Sequence, residues 1–163
     1  MLTRILAVVT LALTVAACTP IEEADAPATA AEPAAPIVDY YVSEGTAAAG
    51  YPFADAVQVG NMLFLSGQIG VQPETFQLVE GGIETETRRT LDNIGRILAA
   101  RGSSFEEIVK CTVMLADIVE WPAFNGIYKE YFPSGRYPAR SAFAASGLAL
   151  GARVEVECWA TVK

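Results

Sequence analysis

The stretch Tyr137–Lys163 reads YPARSAFAASGLALGARVEVECWATVK, and its second half decides how the domain is built. From Val154 it alternates, with Val154, Val156, Cys158, Ala160 and Val162 on one face and Glu155, Glu157, Trp159 and Thr161 on the other. A period of two marks a strand that lays one face on a core and turns the other away. The second face carries two carboxylates beside an indole. Upstream, Arg140-Ser141-Ala142-Phe143 predicts a second short strand, joined to the first by the Gly147–Gly151 loop. With Phe143 packed among the valines, parity sets Arg140 and Ala142 on the face of the glutamates. A hairpin register with Arg140 near Glu157 leaves Arg140 and Glu155 about two residues, roughly 7 Å, out of step. Two readings of that pair stand. The gap holds a small anion between a cation and a carboxylate, or the pair is an exposed salt bridge worth ~0–1 kcal/mol.

The 163 residues suffice for one domain with a core of its own. Half the chain is apolar and the net charge is −8, with no basic cluster, which argues against a nucleic-acid partner. Histidine is absent. That removes Ser/His and Cys/His nucleophilic machinery, histidine bases and nearly all zinc sites. Chemistry here falls to carboxylates, arginine, hydroxyls, thiols and the backbone.

Residues 1–17 have the pattern of a targeting segment: Arg4, then an apolar run from Ile5 to Ala16 that ends in small residues. The run is too short for a membrane span, which needs ~20 residues. Val15-Ala16-Ala17-Cys18 resembles a bacterial lipobox, in which the cysteine thiol takes a lipid; ordinary secretion with cleavage nearby is the other reading. Lipidation at Cys18 would place the protein on the periplasmic side of a membrane, held by its acyl chains. Residues 18–43 are rich in Ala, Pro and Glu, with almost no large apolar residues before Ile37, and predict a disordered tether. Without Arg4 the net charge becomes −9.

The folded domain is expected over 44–163. Val59-Gly60-Asn61 signals a two-residue hairpin, and Met62–Ser66 returns as a strand into Gly67-Gln68. A Ser-Gly-Gln bend can offer backbone N–H groups to an oxyanion, or is simply a strand end. Ile83–Arg101 reads as a helix, with Thr87, Leu91, Ile94 and Leu98 on one stripe and Gly102 as the stop. Ser103-Ser104-Phe105-Glu106 has capping-box spacing. Val109–Leu115 predicts a strand with Val109, Cys111, Val113 and Leu115 inward, and a second helix runs from about Pro122 to Phe132 with Phe124, Tyr128 and Tyr131 on a core stripe. The order β-β-α-β-α-β-β describes an α+β domain, a mixed sheet with two helices on one face. Cys111 and Cys158 both fall on helix-facing sides; they read as free, buried small hydrophobes, with pairing in an exported protein as the alternative.

Val59-Gly60-Asn61, Leu65-Ser66-Gly67-Gln68-Ile69, Thr90-Leu91-Asp92-Asn93-Ile94, Ile108–Val113, Asn125-x-x-Tyr128-x-x-Tyr131-Phe132, and Pro138-Ala139-Arg140-Ser141 ahead of Val154-Glu155-Val156-Glu157 occur in one order. Together, across about residues 50–163, they resemble the RidA (YjgF/YER057c/UK114) family. The resemblance implies a chorismate-mutase-like fold and a homotrimer with clefts between subunits. It also implies an enamine/imine deaminase that hydrolyses 2-aminoacrylate and related 2-imino acids to 2-keto acids and ammonia, without metal or organic cofactor. By the same resemblance Arg140 holds the substrate carboxylate, as suits a planar guanidinium. Glu155 positions water and relays protons, Ser66 and Gly67 line the ligand, and the Ala142 N–H meets the carboxylate. Asn125 matches a family position with a local hydrogen-bonding role, and Glu157 has no catalytic part.

Phe53 stands where many deaminases carry tyrosine, and Gly147-Leu148-Ala149-Leu150-Gly151 replaces the family's Leu-Pro loop. Three functions follow from the resemblance: a periplasmic 2-imino-acid deaminase, a trimer that binds small carboxylates without turnover, and a chaperone-like or nuclease activity. The charge disfavours the nuclease, because gripping phosphates takes cations.

Overall fold

In the computed structural model, which describes residues 35–132 and 134–163, the alternating stretch becomes strand β7 (Val154–Thr161) and pairs with three other strands. Before it come β1 (Val38–Tyr41), helix α1 (Glu44–Ala49), β2 (Ala56–Val59), β3 (Met62–Leu65) and β4 (Gln68–Ile69). Helix α2 (Gly82–Ala100), β5 (Ile108–Leu115), α3 (Trp121–Tyr128) and β6 (Ala139–Ala144) complete the order. The strands lie side by side as β1-β2-β3-β7-β5-β6, with β4 also on β7. Only β5 and β6 run parallel, as the helix between them requires, because a parallel neighbour needs a long crossover. The mixed α+β sheet expected from the element order is present.

The local signals act as their chemistry dictates. Gly60 takes φ +60° in the β2–β3 turn, and Val59 pairs with Met62 across it. Thr87, Leu91, Ile94 and Leu98 of α2 are all buried, and Gly102, at φ +69°, ends the helix. Ser104 caps a single 3-10 turn, Phe105–Glu107. The core joins Leu91, Ile94 and Leu98 of α2 to Leu63, Val113, Leu115, Phe124, Val154 and Val156.

Four expectations need correction. The tether expected to reach residue 43 stops short: Val38–Tyr41 pair antiparallel with β2, and Ser43 caps α1. The rest of that expectation, with the targeting segment and Cys18, lies outside the described residues. Ile108, not Val109, faces the core, because a bulge between Ile108 and Lys110 shifts the register by one. Cys111 and Cys158 sit directly opposite on β5 and β7 and form a disulfide, in place of two free thiols. Finally, β6 and β7 are not a hairpin. β5 lies between them, and Ala142 rather than the half-exposed Phe143 turns toward the helices.

Candidate active site

Register decides where the two expected catalytic groups can meet. Cys111 of β5 is aligned with Arg140 on β6 and with Cys158 on β7. Paired residues share a face, so Arg140 points to the helix side along with the buried Cys111 and Cys158. Met114 is aligned with Glu155, and its parity is the opposite one. Within one chain, Arg140 and Glu155 therefore stand on opposite faces of the sheet with β5 between them. The expected same-face pair does not exist, because Ala142 rather than Phe143 turns to the core and Arg140 goes with it to the helix side.

Arg140 is held by rings. Its guanidinium carbon lies 4.6 Å from the Tyr128 ring centroid, 5.2 Å from Trp121 and 5.7 Å from Phe124. Cation–π contacts of this kind contribute about 0.5–2 kcal/mol each. Among the described residues the guanidinium has no carboxylate and no hydrogen-bond partner. Burial drives the Tyr128 phenol up to about 12, the nearby Arg140 charge opposing in part. The aromatic stripe of α3 thus packs the core and also carries a cation at the sheet edge. Ala142 lies two residues along β6 on the same face, and Asn125 lies on α3 one turn after Trp121. No local hydrogen bond forms through the Asn125 side chain among the described residues.

Glu155 sits elsewhere, in a cavity of about 380 Å³ beside the kink between β3 and β4. Phe53, Ser66 and Gly67 line the same space, so four of the seven expected site residues come together here, while Arg140, Ala142 and Asn125 gather at β6 and α3. A Cβ at Gly67 would overlap Glu155 Oε1; only glycine lets the carboxylate press on the backbone at the kink. Burial, and then the charge of Glu157 on the same face, push the Glu155 carboxyl above the ordinary carboxylate range. It has no hydrogen-bond partner among the described residues. The Ser66 hydroxyl donates to Ala54 O at 2.7 Å, leaving its lone pairs to the cavity.

Helix α2 fixes both flanks. Asn93 Nδ2 donates to Ile69 O (3.1 Å) and Val71 O (2.9 Å), which holds β4. The buried Glu86 accepts from Arg153 N at 2.8 Å, just where β7 begins. Asp55, also buried, accepts from Ser43 N (2.6 Å) and the Thr46 hydroxyl (2.8 Å), so α1 is clamped onto the Tyr51–Phe53 segment.

Sequence reasoning missed Tyr51, Phe76 and Leu150 as lining residues. Tyr51 stacks on Phe53 with centroids 5.3 Å apart and meets Phe76 edge-on at 5.4 Å. Phe76 and Leu150 hold φ +53° and +57°, and among the described residues they are the only non-glycines in the left-handed region. Such backbone costs of order 1–3 kcal/mol. No periodicity announces it, since the strain is set by the surrounding loops.

Comparison with known proteins bears on this geometry. A family model described as endoribonuclease L-PSP matches residues 44–162. The chain belongs to that family, the RidA family. A 2-iminobutanoate/2-iminopropanoate deaminase of Capra hircus is 46% identical over 106 residues, covering 65% of this chain and 77% of the relative. Among solved structures, the yeast protein YEO7 superposes with TM-score 0.72 at 37% identity, over 78% of this chain and 100% of the other. Escherichia coli TdcF with bound serine gives TM-score 0.66 at 31% identity, over 69% and 90%. The RidA fold expected from the motifs is the fold observed.

Proposed function

We propose that this RidA member is an enamine/imine deaminase that hydrolyses 2-imino acids to 2-keto acids and ammonia. The observation that carries the reading is Glu155, a partner-free carboxyl with raised proton affinity, pressed on Gly67 inside a cavity of substrate size. Glu155 takes a proton from water as its oxygen bonds to the imine carbon. The proton passes to nitrogen as the C=N π pair moves there, giving a carbinolamine. Glu155 then carries the hydroxyl proton to the amine, the C–N bond breaks as the carbonyl forms, and ammonia leaves with the keto acid. Acid–base help of this kind is worth ~10²–10⁴-fold.

Arg140 binds the carboxylate from a second copy of the chain, since its own chain holds it on the other face of the sheet. The uncommitted guanidinium and the exposed apolar residues Phe143 and Trp159 on the helix-free face support a homotrimer with sites between subunits. The deaminase names of close relatives support the reaction. The family's endoribonuclease label is not carried over, because a net charge of −8 opposes phosphate binding.

Keto-acid release from freshly generated 2-iminopropionate should exceed buffer, and Arg140→Ala should lose the excess. An unchanged rate in that variant rejects the reading. Phe53, which brings no hydroxyl to the cavity, favours a second reading: capture of small carboxylates without turnover. Thermal stabilisation by keto acids beside a flat hydrolysis assay would select it.

The location proposed is the periplasmic side of a bacterial membrane, anchored through a lipid on Cys18. The lipobox-like sequence and the Cys111–Cys158 disulfide support it, since disulfides persist in oxidising compartments. A mass spectrum of the membrane fraction tests it; a freely soluble mature chain without lipid would end it.

A further inference from the structure

We infer that the cavity beside Glu155 selects 2-imino acids with a branched or aromatic side chain over the smallest ones, with Phe76 and Leu150 as the specificity-determining contacts. The inference rests on the deaminase reading for the reaction, but the size and lining of the cavity carry it.

A volume of about 380 Å³ falls in the range that holds drug-sized ligands, about 300–1,000 Å³. A three-carbon imine placed with its reacting carbon at Glu155 would leave most of that space to water. Tyr51, Phe53, Ile69, Val71, Phe76 and Leu150 make much of the remaining wall apolar, beside the polar Thr46, Ser66 and Gln68. Two carboxylates reach the lining, and Asp55 is already committed to Ser43 N and the Thr46 hydroxyl. Of the two carboxylates only Glu155 is uncommitted, and away from it and Ser66 the large groups Tyr51, Phe53, Phe76 and Leu150 have apolar surface to offer a ligand.

The second observation is independent of volume. The left-handed backbone of Phe76 and Leu150 occurs in two separate loops, and both side chains reach the same cavity. Neither backbone conformation suits an L residue with a large side chain. Glycine would relieve both, yet large apolar groups stand there and line the cavity. Leu150 is 62% exposed, so the core gains little from it, and its apolar surface is available to a substrate side chain. The Tyr51–Phe53 stack and the edge of Phe76 form a wall against which a leucine- or phenylalanine-sized group would lose its water.

The test uses the full chain and imines generated in situ by an L-amino-acid oxidase from alanine, leucine and phenylalanine. The kcat/KM ratio of leucine- to alanine-derived imine is expected to be at least tenfold in the native protein. It should fall at least tenfold in Leu150→Gly and in Phe76→Gly. Leu150→Asn, which tolerates the same backbone but is polar, should behave like Leu150→Gly. A native ratio near one or below, or a ratio unmoved by all three variants, overturns the inference while turnover that needs Arg140 keeps the deaminase reading. Should no imine be turned over, the deaminase reading fails by itself. Thermal shift with 4-methyl-2-oxopentanoate against pyruvate then decides selectivity: greater stabilisation by the larger acid, lost in Leu150→Gly, upholds it, and equal shifts overturn it.

Discussion

Among the described residues neither Arg140 nor Glu155 has an ion-pair partner, and the protein keeps them so by opposite means. Arg140 lies over three aromatic rings, which steady a cation without neutralising it. Glu155 is partly desolvated, beside a like charge and against bare backbone, which favours its protonated form. One region supplies a permanent charge for an anion to find; the other supplies a group that gains and gives up protons readily. Because they occupy opposite faces of one sheet, neither is consumed by the other. A pair formed within the chain would have been a salt bridge and nothing more.

The largest test of this contrast is complementation. Arg140→Ala and Glu155→Gln should each lower deaminase kcat/KM by about 10²–10⁴-fold. Subunits of the two variants, unfolded and refolded together, should regain part of the activity, because some sites then pair an intact Arg140 with an intact Glu155. No recovery in the mixture would break the two-copy geometry.

The disulfide ties β5 to β7, the strands that lie between the two regions. Cys111→Ala combined with Cys158→Ala should cost about 2–4 kcal/mol in denaturant unfolding. The dependence on Arg140 and Glu155 should persist in the folded fraction. A loss under ~0.5 kcal/mol would show that the link does not hold the strands together.

Gly67→Ala forces Glu155 away from the kink. A displacement of about 1 Å at a reacting group can cost up to ~10²-fold, so kcat should fall roughly tenfold or more while the Arg140 region is untouched. Wild-type kcat in this variant would mean the close approach is not used.

The smallest effect is on stability against pH. The folded state holds the Glu155 proton more tightly than the unfolded chain does. Its contribution is therefore fully present below the ordinary carboxylate pKa and is lost as pH rises through the raised folded value. Glu155→Gln removes that loss. Its melting temperature relative to the native protein should be more favourable near pH 7.5 than near pH 4, on either side of the usual glutamate range of about 4.3. A difference that does not change with pH, or changes the other way, would remove the desolvated carboxyl from the comparison.

Much of the fold was legible because it rests on local chemistry. The Gly60-Asn61 turn, the α2 stripe and the alternation of β7 each have a short-range cause, and each element forms where that cause lies. The candidate site residues were proposed by another route, through motifs shared with a family. Their arrangement was not legible. A one-residue bulge turned Val109 outward, and Arg140 took the helix-side face because Ala142 rather than Phe143 packs on the core. The β1 strand was hidden by the Ala-, Pro- and Glu-rich stretch before it, since a run of four residues is too short to show a period. Tyr51, Phe76 and Leu150 lie in separate loops, and no spacing along the chain records that they meet.

By itself, then, the sequence determined which residue types were available for chemistry: no histidine, one cation after Pro138-Ala139, and two carboxylates, Glu155 and Glu157, within an alternating strand. It also determined the elements, because hydrogen-bond periodicity and turn conformations are properties of neighbouring residues. Only the tertiary structure decided that the cation and the carboxylate face apart, that two cysteines join, and that an apolar cavity adjoins Glu155. Those outcomes depend on which strand lies beside which, and strand order is set by the packing of helices distant in sequence.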